Sequence, residues 1–166
     1  ADGDATAMLQ DKMAAELVNK IAIIGENMQL RRAIRWAKTG KIASYIHGGG
    51  RIGVMVEVEG ENPDDEFMSD LCMHIAAFKP DYICSACIPA EKIAKEKEIA
   101  AAADPKLAGK PAEMIEKILV GKINKWFSEV TLLQQPWIRD DKSCLAKLRP
   151  NLKIKRFVRW EVGEEL

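Results

Sequence analysis

No sign of charge prevails in this chain: 25 lysines and arginines cancel 25 aspartates and glutamates. A neutral balance lacks the basic excess from which a nucleic-acid binder draws most of its affinity. It equally lacks the basic bias of a peripheral membrane protein, so a protein partner is the default. Long apolar runs are missing, and nothing approaches the roughly 18 consecutive apolar residues of a membrane span. Cysteine is sparse. Cys72, Cys84, Cys87 and Cys144 form no dense disulfide framework in 166 residues, which favours a reducing compartment. The opening Ala1-Asp-Gly-Asp-Ala5 is acidic, with no basic n-region, and reads as no secretory signal. The expected location is therefore cytoplasmic. An initiator Met is also lacking, and the expectation is a chain processed, trimmed or cut from something longer.

What is present suffices for a core: 48% of the residues are hydrophobic, enough for a single domain over residues 1–166. The most informative stretch runs from Ser44 to Gly60. Val54, Val56 and Val58 alternate with Met55, Glu57 and Glu59, the period of a strand with one polar face. Gly48, Gly49 and Gly50 admit positive φ, so the chain can reverse there between two strands. His47 stands at the mouth of that turn, where side chains reach solvent.

Elsewhere the spacing predicts a helix over residues 5–24, with Met8, Leu9, Met13, Leu17 and Ile21 on one face and Gly25 as its stop. Met28 to Ala37 reads as a strand, and Thr39-Gly40 turns it into the hairpin to make an antiparallel meander. Asn62 to Asp65 starts a helix whose core stripe is Phe67, Leu71, Ile75 and Phe78, ending near Lys79-Pro80. Ile88-Pro89 is extended. Helices follow over residues 90–103 and from 112 to about 126, a helical hairpin insertion at about 90–127 with Ile115, Ile118, Leu119, Ile123 and Trp126 as its apolar stripe. Gln135 to Ile138 and Arg149 to Asn151 read as loops. Lys153 to Val162 reads as a closing strand with Ile154, Val158, Trp160 and Val162 inward. The expected fold class is α+β: an antiparallel β-sheet covered by helices on one side, with a protruding antiparallel helical hairpin.

Each chemical motif has a bland rival. Cys72, His74, Cys84 and Cys87 contain one C-x2-C pair, but Cys72 and His74 are two apart on a helix and no second pair follows, so buried or incidental thiols are favoured over zinc. A thioredoxin-like role needs the pair to open a helix in a βαβ unit, which this pattern does not offer. The triple glycine is no phosphate cradle, since a strand rather than a helix follows it. His74 reads as a packed, hydrogen-bonded core histidine. Arg31, Arg32 and Arg35 read as solvated, or paired with Glu26, Glu57 or Glu59 across a sheet. His47 alone is equally suited to a contact role.

A family resemblance runs through these motifs in order. Tyr45-Ile-His47-Gly-Gly-Gly-Arg-Ile-Gly-Val54 resembles a signature of the elongation factor Ts family. So do Ile24-Gly-Glu-Asn27 with Arg31-Arg32, Asp70-Leu-Cys-Met-His-Ile-Ala-Ala77 with Lys79-Pro80, and Ile88-Pro-Ala-Glu91 with Glu96-Lys97-Glu98. Gly109-Lys-Pro111 with Ile115-Glu-Lys117 and Glu129-Val130, Gln135-Pro-Trp-Ile138, and Phe157-Val-Arg-Trp-Glu-Val-Gly163 complete the set. The resemblance implies the C-terminal, dimerisation-type half of the family core with its coiled-coil insertion. It implies guanine-nucleotide exchange on elongation factor Tu, a GTPase: a binding activity rather than an enzyme's, with no cofactor, no metal, no nucleic acid and no membrane. The contact positions it implies are Ile24, Gly25, His47 and Ile138. The family's Leu-Arg-x-x-Thr-Gly-Ala-Gly segment and its Thr-Asp-Phe-Val segment, which reaches beside the GTPase magnesium, do not occur here. Exchange by these residues alone is thus expected to be weak. The alternative reading is a self-associating module, a homodimer without exchange activity. A zinc or thiol enzyme built on Cys84 and Cys87 is the third.

Overall fold

Thr6 to Ile24 form helix α1, and each end has a local cause. Asp4 Oδ1 accepts the Thr6 N–H at 2.8 Å, satisfying an orphan donor of the first turn. Gly25 takes φ 79°, left-handed, and returns its N–H to the Ile21 carbonyl. The computed structural model describes residues 2–37, 40–107 and 109–165. It falls into two compact units, Ala1–Thr39 and Gly40–Leu166.

In the first unit, strand β1 (Gly3–Asp4) pairs antiparallel with β2 (Ile34–Arg35). The strand expected over Met28 to Ala37 is therefore two residues long and joins no meander. The reason lies in tertiary contacts: α1 side chains occupy its backbone groups. Gln10 Nε2 donates to the Leu30 carbonyl at 2.7 Å, and the Ala33 N–H donates to Thr6 Oγ1 at 2.9 Å. The expected α1 stripe is half-buried at Leu9, Met13, Leu17 and Ile21, whereas Met8 is exposed. The expected turn at Thr39-Gly40 has its first residue outside the described residues.

In the second unit, β3 (Lys41–His47) and β4 (Ile52–Gly60) form the expected hairpin, with His47 opposite Ile52. Gly48, Gly49 and Gly50 have φ of 61°, 68° and 97°, a conformation that costs an L-residue roughly 1–2 kcal/mol at each position. The third strand of the sheet is the closing one, β7 (Leu152–Glu161), antiparallel on the other edge of β4. Its register shifts between Glu57 and Val58: Val58 faces Ile154, while Val56 faces Phe157 and Val54 faces Arg159. The bulge at Lys155 reverses which residues point inward. Leu152, Ile154 and Phe157 join the core face, and the expected Val158 and Trp160 lie opposite Met55 and Gly53 on the other face. Val162 is 76% exposed.

Helix α2 (Asp65–Phe78) packs on the inward face of β3 and β4. Asp64 caps it, accepting the Phe67 N–H at 2.7 Å. Met68, Leu71, Cys72 and Ile75 are buried against Val54, Val56 and Val58. Phe78, expected in the core, lies at its rim. Helices α3 (Ala90–Ala102) and α4 (Ala112–Val130) pack on each other, with Lys122 Nζ 2.8 Å from Asp104. The second runs one turn beyond its expected end at Trp126. Its exit, Thr131 to Leu133, bonds to Tyr82 and Ile83. The expected loop at Gln135 contains instead β5 (Pro136–Trp137), paired with β6 (Asp140–Cys144), and α5 (Leu145–Leu148) leads to β7.

The architecture is thus α+β with antiparallel sheets. Glu57 is wholly buried: its Oε2 accepts from Arg156 Nε of β7 at 2.7 Å, and its Oε1 accepts the Gly40 N–H at 3.0 Å. Among the described residues no helix is long and apolar enough to cross a membrane.

Candidate functional site

A stack of flat groups fixes the wall on which the site is built. Phe78, His74, Trp137 and Phe67 follow one another with ring centroids 4.7, 5.2 and 5.4 Å apart and planes within 20° of parallel. Arg149 lies over the far face of Phe67 at 4.7 Å and pairs with Glu61. The stack joins α2 to the β5–β6 hairpin, and buried Gln135 locks the joint. Its Nε2 donates to the Phe78 and Glu129 carbonyls at 3.0 and 2.8 Å, tying the ends of α2 and α4 together. Its Oε1 accepts from His74 Nε2 at 3.1 Å. That bond places the histidine proton on Nε2, and Nδ1 has no partner. Burial holds the His74 pKa below its ordinary value; the hydrogen bond to Gln135 pushes the other way. The expected core histidine is therefore present, neutral and wedged.

Two residues beyond Trp137, the Arg139 guanidinium grips Asp70 on α2 through two bonds of 2.9 and 2.5 Å. Ile138 is thereby pinned between two anchors, half-buried against the core. It lines a groove of about 390 Å³. Met73, Ala76 and Ala77 of α2 form the floor, and Tyr45, His47 and Ile52 of the hairpin form one wall. Tyr45 Oη lies 3.0 Å from His47 Nδ1. With the phenol donating to that nitrogen, the imidazole presents Nε2–H outward. The triple-glycine turn leaves it exposed.

The rest of the lining is charged, with Glu161 beside Ile52 across β4 and β7. Glu161 Oε2 accepts from Arg159 Nη2 at 3.0 Å and from Lys79 Nζ at 3.3 Å, and these bonds hold its pKa below the usual carboxylate value. Arg159 Nε donates to the Ala76 carbonyl at 3.1 Å, fixing the cation along the groove. Lys79 caps α2 at φ 47°, the single non-glycine positive φ among the described residues. Small alanines, an apolar floor and a charged rim suit the docking of a partner's side chains. Among the described residues no cluster of three metal-ligand side chains is present.

Of the four sequence-predicted contact residues, His47 and Ile138 line this one groove. Ile24 and Gly25 belong to the first unit, where they end α1. Ile24 is exposed, as is Ile23 before it, so that helix end presents apolar surface. Sequence reasoning missed Tyr45, Met73, Lys79, Arg159 and Glu161. Tyr45 was findable, since it stands two residues before His47 on the same strand face. Arg159 was not, because the bulge at Lys155 decides which way it points.

Comparison with known proteins gives one family throughout. A family model described as Elongation factor TS matches residues 3–164. The chain is 40% identical to the Elongation factor Ts of Alkalilimnicola ehrlichii, covering 99% of this chain and 61% of that protein. It is 40% identical to that of Halorhodospira halophila (98% and 53%) and 45% identical to that of Methylococcus capsulatus (93% and 51%). The chain thus spans between about half and three-fifths of the length of these curated relatives.

Proposed function

The chain belongs to the elongation factor Ts family, and on that premise we propose that it supplies a docking half of a guanine-nucleotide exchange factor for elongation factor Tu. The observation that carries this reading is the groove in which His47 and Ile138, two contact positions implied by the family motifs, meet over an apolar floor. The imidazole offers an outward donor, Ile138 an apolar contact, and Lys79, Arg159 and Glu161 an orienting rim. Ile24 and Gly25 offer a further contact at the end of α1.

An exchange factor acts by differential affinity. It binds the GTPase with an emptied nucleotide site more tightly than the GDP-bound form, and by linkage GDP is then held less tightly on the complex. Such an activity needs no acid, base, cofactor or metal from this chain, and it is not enzymatic chemistry. The Thr-Asp-Phe-Val segment is not in this sequence. These residues by themselves therefore contribute docking more than nucleotide release.

Calorimetric titration of the chain into nucleotide-free and GDP-bound elongation factor Tu, side by side, tests the reading. It predicts affinity at least about tenfold higher for the empty form, a difference of ~1.4 kcal/mol. Equal affinity for both forms would refute differential binding. Binding to neither, with a second copy of the chain bound instead, would replace the reading with self-association.

A further inference from the structure

The corner that leads into α3 carries chemistry the docking groove does not use. Cys84 Sγ and Cys87 Sγ lie 2.7 Å apart. Both are free thiols, Cys84 half-buried and Cys87 exposed, so a small oxidant can reach the pair. The backbone between them is already closed: a single turn over Ser85–Cys87 returns the Cys87 N–H to the Cys84 carbonyl at 3.0 Å. Both flanks are anchored. Upstream, the Tyr82 and Ile83 carbonyls accept from Leu132 and Leu133 at 2.9 and 3.1 Å. Downstream, Ile88 is buried, and Pro89 opens α3 by accepting from Lys92 and Ile93. The two sulfurs are thus held together by fixed chain on either side. A metal reading lacks a third ligand among the described residues.

We propose that Cys84 and Cys87 form a reversible intramolecular disulfide, closed by a low-molecular-weight disulfide, that staples the corner from which α3 departs. One cysteine thiolate attacks a sulfur of the small disulfide, forming a mixed disulfide and releasing one small thiolate. The second cysteine, losing its proton, attacks the protein sulfur of that mixed bond. The Cys84–Cys87 bond forms and the second small thiolate leaves. Two electrons pass to the oxidant, whose two sulfurs depart as thiols carrying the two protons. The hydrogen bond with Cys84 raises the Cys87 pKa above the ordinary thiol value, so closure accelerates as pH rises. The other cysteines serve as internal references. Burial pushes the Cys72 thiol up to about 11, and Cys144 ends β6.

The test equilibrates the full chain in glutathione buffers of graded oxidised-to-reduced ratio, traps free thiols by alkylation, and reads intact mass and peptide maps. In oxidised buffer the wild type should lose two alkylatable thiols and two hydrogens in mass, both mapping to Cys84 and Cys87, and should regain them with dithiothreitol. Cys144→Ser should behave identically. Cys87→Ser and Cys84→Ser should each stop at a stable glutathione adduct on the remaining sulfur. Amides of Lys92 and Ile93 should exchange more slowly in the oxidised chain. A wild type that stays fully alkylatable in oxidised glutathione, that accumulates the mixed adduct, or whose bond maps to Cys72, Cys144 or a second chain would overturn the proposal. Unchanged exchange at Lys92 and Ile93 would overturn the staple.

Discussion

Protonating His74 should loosen the wall that holds Ile138, and the size of the effect follows from its surroundings. The ring is fully buried between Phe78 and Trp137, donates to Gln135 through Nε2, and has nothing to receive a proton on Nδ1. An imidazolium there would gain about 0.5–2 kcal/mol from the two ring faces. Against that stands a desolvation penalty of several kcal/mol for a buried ion, with the new N–H left unsatisfied. Desolvation wins, and the folded-state pKa lies below the unfolded value of 6.5. The sign follows. Below that value the unfolded chain takes up a proton that the folded chain refuses, so stability falls as pH falls. The slope approaches ~1.4 kcal/mol per pH unit until the folded pKa is reached. Carboxylates held below their usual values, Asp65 by Lys41 and Glu161 by Arg159 and Lys79, also lose their contribution in acid, but only as pH drops through their own lower range. Urea unfolding followed by tryptophan fluorescence between about pH 7 and pH 5 therefore isolates His74. His74→Phe keeps the stack and removes the titration, so it should flatten the slope, whatever stability it starts from. A wild-type slope that matches the variant's would refute a neutral, wedged His74.

Three further outcomes follow from the same contacts. Gln135→Ala strips the Phe78 and Glu129 carbonyls and His74 Nε2 of their partner at once, and should lower unfolding free energy by roughly 3–5 kcal/mol in denaturant titration. Glu57→Ala removes a wholly buried carboxylate that both Arg156 and the Gly40 N–H contact, and should lose roughly 1–3 kcal/mol by the same assay. Gly49→Ala meets no atom within 4 Å, so its cost is the left-handed backbone alone, about 1 kcal/mol, and thermal unfolding should show a small drop in Tm with the hairpin register intact by NMR.

Much of the second unit was legible because its signals are local. Alternating valines, three glycines and an aspartate before a helical stripe each fix one element without reference to the rest of the chain. The joints were not legible. Met28 to Ala37 alternates well enough to read as a strand, yet Gln10 and Thr6 of a distant helix turn take its backbone groups. The closing strand hides a bulge at Lys155 that no composition betrays, and that bulge aims Arg159 at the groove. Gln135 looked like a loop residue because its three bonds reach residues far apart in sequence. Of the site, the exposed imidazole could be seen in the sequence. The groove beside it depends on how α2, β7 and the β5–β6 hairpin meet.

The groove is the centre of the account, and His47 is one of its exposed members. The direct measurement is calorimetric binding of nucleotide-free elongation factor Tu to wild type and to His47→Ala, with thermal unfolding run on both. The His47 ring is exposed and its hydrogen bond is to Tyr45, two residues away on the same strand, so the variant should fold with an unchanged Tm. The account predicts affinity weaker by about tenfold or more, as for a residue at the heart of an interface. A folded variant that binds as tightly as wild type would contradict it.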